Sequence, residues 1–219
     1  MMIPAQPNSF KYIGYKSINK NIIGSNCITS LCRDHEGILW IGTDNDGIYG
    51  ITTELKQRVH YAPHDSPFSV PSTVFGLYED SERNLWFGSY TNGLGRLDKK
   101  TGQCSYLQNL TDKHGNRIQR VYDLVEDQDK RLWIATMGAG LFYYDLKTGQ
   151  SVYDPKFNAA TEKYKWISCL LYAGDNHLYV GTYDGIRCID LSTDDFKTEE
   201  ILSRHIIHSL YEDPQATSG

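Results

Sequence analysis

One pattern returns along this chain at a nearly constant interval, and that repetition constrains the fold more than any other feature. The first copy reads ITSLCRDHEGILWIGTDNDGIYGIT from Ile28, and the second VFGLYEDSERNLWFGSYTNGLGRLD from Val74. The third, VYDLVEDQDKRLWIATMGAGLFYYD, starts at Val121, and the fourth, partly decayed, is ISCLLYAGDNHLYVGTYDGIRCID from Ile167. A fifth begins at Ile207 as IHSLYED. The landmarks Trp40, Trp86, Trp133 and Tyr179 follow one another at 46, 47 and 46 residues, the length of a four-stranded propeller blade.

Each copy parses into strands from its own chemistry. An apolar run such as VFGLYED ends at a carboxylate in a tight turn (DHEG, DSERN, DQDKR), and a second strand follows as LWIGT, LWFGS, LWIAT or LYVGT. A turn ending at Gly47, Gly93, Gly140 or Gly185 leads into a third strand, and these glycines are predicted to take positive φ. The chain then turns at KKTGQ, LKTGQ or LSTDD into an outer fourth strand, of which CSYLQ and SVYDP are the clearest. Strands apolar on both faces suit blades packed face to face, with the repeated Trp wedged between neighbours. The fold class is therefore all-β, a β-propeller of about four and a half four-stranded blades, partial or truncated. The single propeller segment, 1–219, divides into blades at 28–66, 74–112, 121–157 and 167–201. Residues 10–24 read as an outer strand of a preceding blade and 207–213 as the first strand of a truncated one. Together these end pieces lack two strands of a blade, so closure of a ring by this chain alone is not expected.

Composition excludes several functions. With 22 Lys and Arg against 27 Asp and Glu, the net charge is −5, which speaks against a nucleic-acid partner because phosphate binding needs a clustered basic surface. No apolar stretch approaches the roughly 20 residues of a membrane helix, so no direct membrane contact is expected. The five cysteines form no C-x-x-C pair and read as small buried hydrophobes. His60 with His64 and His205 with His208 have no cysteine or carboxylate partner at a zinc-site offset. Asp44 to Gly47 has the start of a calcium loop without its twelfth-position glutamate. There is neither a G-x-S-x-G elbow nor a P-loop. Asp34, Asp80 and Asp127 sit at hairpin turns, where they serve as acceptors for backbone N–H groups. No enzyme activity, metal or cofactor is expected.

The motif LWIGT, followed by a glycine and an apolar strand and preceded by aspartate six positions before the Trp, resembles the two-component regulator propeller repeat. The match spans nearly the whole chain, with Tyr179 for Trp and Ala173 for Asp as departures in the fourth copy. The resemblance implies a piece of a larger, typically seven-bladed, periplasmic sensor domain of a hybrid histidine kinase, of the kind that senses breakdown products of complex carbohydrates. It also implies that signal output resides outside these 219 residues. Two further classes compete with that expectation, an interaction scaffold and a propeller lyase acting on a polysaccharide or cyclic peptide.

Chain direction alternates along a blade, so the turns from strand two to three share one face with the connections between blades. Those connections, 62–73, 109–120 and 154–166, are long, and long loops carry function. The residues just before each first strand, Cys27, Thr73, Arg120, Trp166 and Ile206, are predicted to ring the mouth of the central channel. Arg120 suits a carboxylate or sulfate and Trp166 a sugar ring. Arg117 in the loop and Tyr90, Asn92, Tyr183 and Asp184 in the turns complete the candidate ligand set, beside Asn45, Asp46 and Met137. The expected partners are a small-molecule or oligosaccharide ligand, the remaining blades of the parent protein and further copies of this chain.

Overall fold

The computed structural model describes residues 23–52, 57–64, 66, 68–112, 114–153, 158, 166–193 and 195–213. Among these described residues, sixteen strands form four antiparallel four-stranded sheets, each a contiguous stretch of chain. The first holds β1 (Ile28–Arg33), β2 (Leu39–Thr43), β3 (Ile48–Ile51) and β4 (Gln57–Tyr61), and the second β5 (Val74–Glu79), β6 (Leu85–Ser89), β7 (Leu94–Leu97) and β8 (Cys104–Tyr106). In the third are β9 (Val121–Glu126), β10 (Arg131–Thr136), β11 (Leu141–Asp145) and β12 (Gln150–Tyr153). The last comprises β13 (Ile167–Ala173), β14 (His177–Thr182), β15 (Gly185–Asp190) and β16 (Thr198–Ser203). In every sheet the strand order follows the sequence, and the inner strands β1, β5, β9 and β13 pack side by side. These are the four propeller blades the repeat predicts.

The core lies between blades. Trp40 packs among Val74, Leu77, Leu85 and Phe87 of the second blade. Trp86 lies with Leu124, Leu132 and Ile134 of the third, and Trp133 with Leu170, Leu178 and Val180 of the fourth. All three indoles are almost fully buried. Tyr179, at the equivalent place in the last blade, is only half-buried. The glycines after the second strands take φ of 73° at Gly47, 79° at Gly93, 94° at Gly140 and 132° at Gly185. A Cβ at Gly47 would run into the Tyr61 carbonyl, so the turn excludes other residues on space as well as on φ.

Two expectations need correction. The outer strand of the fourth blade continues to Ser203, so the boundary at 201 falls inside β16. Residues 207–213 form no strand. Ile207 does donate its N–H to the Thr182 carbonyl at 3.0 Å and accepts from the Ser168 hydroxyl, which seats it where Val74 sits against Thr29 of the first blade. Beyond that, residues 207–213 enter no strand ladder among the described residues. Of the outer strand read at 10–24, residues 10–22 lie outside the described residues. Ile23 is buried with Ile41, Tyr49 and Ile51, and Gly24 donates to the Tyr49 hydroxyl at 2.9 Å.

Candidate functional site

All four inner strands carry a bulge at the same place. In β1, Ile28 opposes Thr43 and Ser30 opposes Gly42, which leaves Thr29 as the extra residue. The same shift makes Phe75, Tyr122 and Ser168 the extra residues of β5, β9 and β13. A bulge re-aims its side chain out of the alternating pattern, and here it turns these side chains toward the chain segments beside their own inner strand. Thr29 donates to the Val74 carbonyl, the ring of Phe75 stacks on Tyr122 at 4.3 Å, and Ser168 donates to the Ile207 carbonyl. These residues form a layer just inside the mouth of the channel.

Above it stand the rim residues. Met137 N–H donates to the Arg120 carbonyl and Tyr183 N–H to the Trp166 carbonyl, each at 3.1 Å, so the two-to-three turns are tied to the residues that precede the inner strands. That tie brings Trp166 and Tyr183 together, their ring centres 5.7 Å apart. The Arg120 guanidinium lies 5.1 Å above the Tyr90 ring, and Tyr90 in turn meets Phe75 edge-on at 5.9 Å. Tyr122 feels Tyr183, Tyr90 and Arg120, although burial is what mainly raises its hydroxyl above the usual range. Tyr90, Trp166 and Tyr183 remain 42%, 42% and 41% exposed. The arrangement offers ring faces beside one guanidinium, which suits a ligand with a flat face and an acidic group.

Met137 stays at this mouth beside Arg120 and Trp166, while several other candidate residues make contacts of their own. Arg117 donates to the Asn92 carbonyl at 3.2 Å, and Asn92 lines a different recess with Pro63, His64 and Val70 of the first long connection. Asp184 closes its turn through its backbone, donating to Thr182 Oγ1 and accepting from Arg204 N–H. Thr73 is committed to Asp44 at 2.8 Å, Asp46 accepts from the Tyr49 hydroxyl, and His60 stacks on Tyr49. Cys27 and Ile206 are exposed on the rim and add no strong polar group.

Sequence reasoning missed Phe75, Tyr122 and the neighbouring Asp123. A signal was present. Among the repeats the bulge position reads Thr29, Phe75, Tyr122 and Ser168, while the residue before it is always Ile or Val, and a variable place within a constant frame is where a repeat protein varies its chemistry. Asp123 lines the channel and accepts from Leu170 N–H at 2.8 Å and Leu124 N–H at 2.9 Å. Burial pushes its carboxyl up to about 6 in spite of those two donors.

Comparison with known proteins agrees with this architecture. The family model described as two component regulator propeller matches residues 22–45, 70–91 and 117–138. Among solved structures, the extracellular domain of the putative hybrid two component system BT4673 from B. thetaiotaomicron aligns with a TM-score of 0.68 at 20% identity, over 85% of this chain and 26% of that one. The corresponding domain of BT3049 from the same organism aligns with a TM-score of 0.52 at 19% identity, over 86% and 30%. PorZ, a surface component of the type-IX secretion system of Porphyromonas gingivalis, reaches a TM-score of 0.59 at 12% identity, over 87% and 30%. The chain thus spans about a quarter to a third of these proteins. Among curated proteins none matches it in sequence.

Proposed function

Three of the blades match the two component regulator propeller repeat, and from that premise we propose that this chain is part of the ligand-sensing, non-catalytic propeller of a two-component signalling protein. The observation that carries the reading is the convergence of Tyr90, Arg120, Trp166 and Tyr183, exposed and from three blades, at one mouth of the channel. Such a mouth recognises a ligand without transforming it. Arg120 supplies a two-pronged donor for a carboxylate or sulfate, and the exposed rings supply faces on which a pyranose stacks. A carbohydrate-derived ligand with an acidic group fits both. That the solved neighbours are extracellular domains supports an extracytoplasmic, periplasmic place. Occupancy would be passed on by further blades and an output domain elsewhere in the signalling protein.

The test is calorimetry with acidic and neutral oligosaccharides on the parent chain, Arg120→Ala and Trp166→Ala. Loss of a charge-assisted hydrogen bond of about 1.5–3 kcal/mol predicts at least a roughly tenfold fall in affinity for the acidic ligand in Arg120→Ala. Trp166→Ala should weaken acidic and neutral ligands alike, and neither change should lower thermal stability much. Unaltered affinity in both variants, for a ligand that the parent chain binds, would move the site away from this mouth.

A further inference from the structure

At the level of the bulge layer lies an axial pocket of about 230 Å³, lined by residues two to four of the inner strands and by the segment from His208 to Leu210. Its chemistry is one-sided. Asp123 is the sole carboxylate among the described residues that line it. The hydroxyls of Thr29 and Ser168 also line it, and each spends its hydrogen on a backbone carbonyl, so what remains toward the pocket is oxygen lone pairs. Phe75 and Tyr122 add ring surface. Other ionisable groups around Asp123 are the Tyr122 hydroxyl on its own strand, the Cys169 thiol on β13 and the His208 ring on the following segment. Phe75, Gly76 and Leu77 of β5 bring no titratable group to it, and Arg120 stands at the rim over Tyr90. Ser30 and Ser209 add hydroxyls that can donate or accept, so the fixed features are one carboxylate, two oxygens committed as acceptors and two ring faces, which together suit a ligand group that is rich in donors and positively charged.

We propose that this axial pocket is a binding site for a protonated amino group, with Asp123 as its counter-ion, the Thr29 and Ser168 oxygens as acceptors for its remaining hydrogens, and the rings of Phe75 and Tyr122 as its wall. An ammonium brings three donors and no acceptor, and its charge is attracted to aromatic faces. A hard divalent cation would demand six or more oxygens and more than one carboxylate. The inference rests on the sensor reading, because the ligand enters through the same mouth and its amino group lies deeper than the part that meets Arg120 and Trp166. It also explains why a carboxylate is kept where burial disfavours its charge: a bound cation restores it. With burial pushing the Asp123 carboxyl up to about 6, affinity for an amine rises as pH rises through that value and falls away in acid.

Two measurements test this on the chain as it stands. The Asp123 carboxyl is titrated by carbon NMR in methylammonium chloride and in sodium chloride at equal ionic strength. The amine salt should lower the midpoint by about one unit, as an opposite charge within contact does, and sodium should not. Calorimetry then compares glucosamine with glucose at pH 7.5 and pH 4.5. Glucosamine should bind at least about tenfold tighter at the higher pH, the preference should shrink at the lower, and Asp123→Asn, which keeps the acceptor for Leu170 N–H, should abolish it. Equal midpoints in the two salts, or glucosamine binding no tighter than glucose at pH 7.5, undetectable binding of both included, would overturn the assignment. Trp166→Ala separates the two readings. If it weakens both sugars while Asp123→Asn does nothing, the mouth stands and the amine site falls; the opposite pattern leaves the amine site and removes the mouth.

Discussion

A single aspartate performs two tasks in each of the first three blades. Asp34 accepts the N–H groups of Glu36 and Ile38, which closes the hairpin turn, and with its other oxygen accepts the Trp40 indole at 2.8 Å. Asp80 with Trp86 and Asp127 with Trp133 repeat this, both at 2.7 Å. Burial alone would raise the Asp34 carboxyl, but the indole, the Ile38 N–H and Lys99 outweigh it and hold it below the usual range. This pairing accounts for the fourth repeat, where Ala173 and Tyr179 replace both members together. A buried indole N–H without its acceptor is costly, so losing the acid makes the Trp a liability. Trp86→Ala should cost about 3–5 kcal/mol as a large buried aromatic, and Trp166→Ala, on the rim, far less. In a denaturant double-mutant cycle, Asp80→Ala and Trp86→Phe should show a coupling of about 1.5–3 kcal/mol. Additive losses would show that the acid serves the turn alone.

Between elements, the sixth residue of β5 and of β9 grips the preceding blade. Glu79 of β5 accepts the His35 N–H at 2.7 Å, and Glu126 of β9 accepts the N–H and hydroxyl of Ser81. In β13 the place is held by Tyr172, whose hydroxyl is buried with no partner, so this grip is missing between the third and fourth blades. That junction relies instead on Asp123 meeting Leu170 N–H and on Arg131 packed against Phe196. The first junction is the most strongly clasped, since Lys99 reaches Glu79 at 2.6 Å and Asp34 at 3.3 Å. Burial would lower the lysine, yet these two partners raise it. They in turn help hold both carboxyls below their ordinary values against burial. Depressed carboxylates contribute stability above their unfolded pKa and lose it as pH falls through the folded value; a raised lysine loses its contribution only in strong alkali. Lys99→Met should therefore cost about 3 kcal/mol at pH 7, as removal of one partner of a buried pair does, and progressively less below pH 4. A pH-independent loss in urea titrations would assign the effect to packing of the lysine stem.

On the scale of the whole molecule, exposed apolar side chains gather at the two ends of the blade series. Ile28 and Leu31 are exposed on β1, and Ile201, Leu202, Ile206 and Tyr211 on or after β16. Tyr211, in a segment that repeats the β5 pattern L-Y-E-D, is 83% exposed, whereas its counterpart Tyr78 is packed among Trp86 and Leu124 of the second and third blades. A blade face built to be covered and left open favours association. The chain studied alone is expected to self-associate with rising concentration and to bind a hydrophobic dye. Sedimentation showing a compact monomer at every concentration, without dye binding, would contradict this.

The blades were legible from sequence because everything that makes a blade is local: alternating strands, an acid closing one turn, a glycine closing the next, and a Trp six residues after the acid, all within half a repeat. Even the positive φ of Gly47 and its equivalents follows from the turn that contains them. The site was only partly legible because it is made between blades. Arg120 and Trp166 could be placed on the rim by counting strand directions, but that Arg120 lies over Tyr90 of the preceding blade depends on how neighbouring sheets pack. So does the diversion of Arg117 to Asn92, away from the mouth. Phe75 and Tyr122 are aimed by bulges that no turn residue announces. The carboxyl of Asp123 is raised by a desolvation that exists only once the inner strands stand side by side. Residues 207–213 carry the sequence of a first strand and are not one, since a strand is defined by its hydrogen-bonding partner and that partner is another segment.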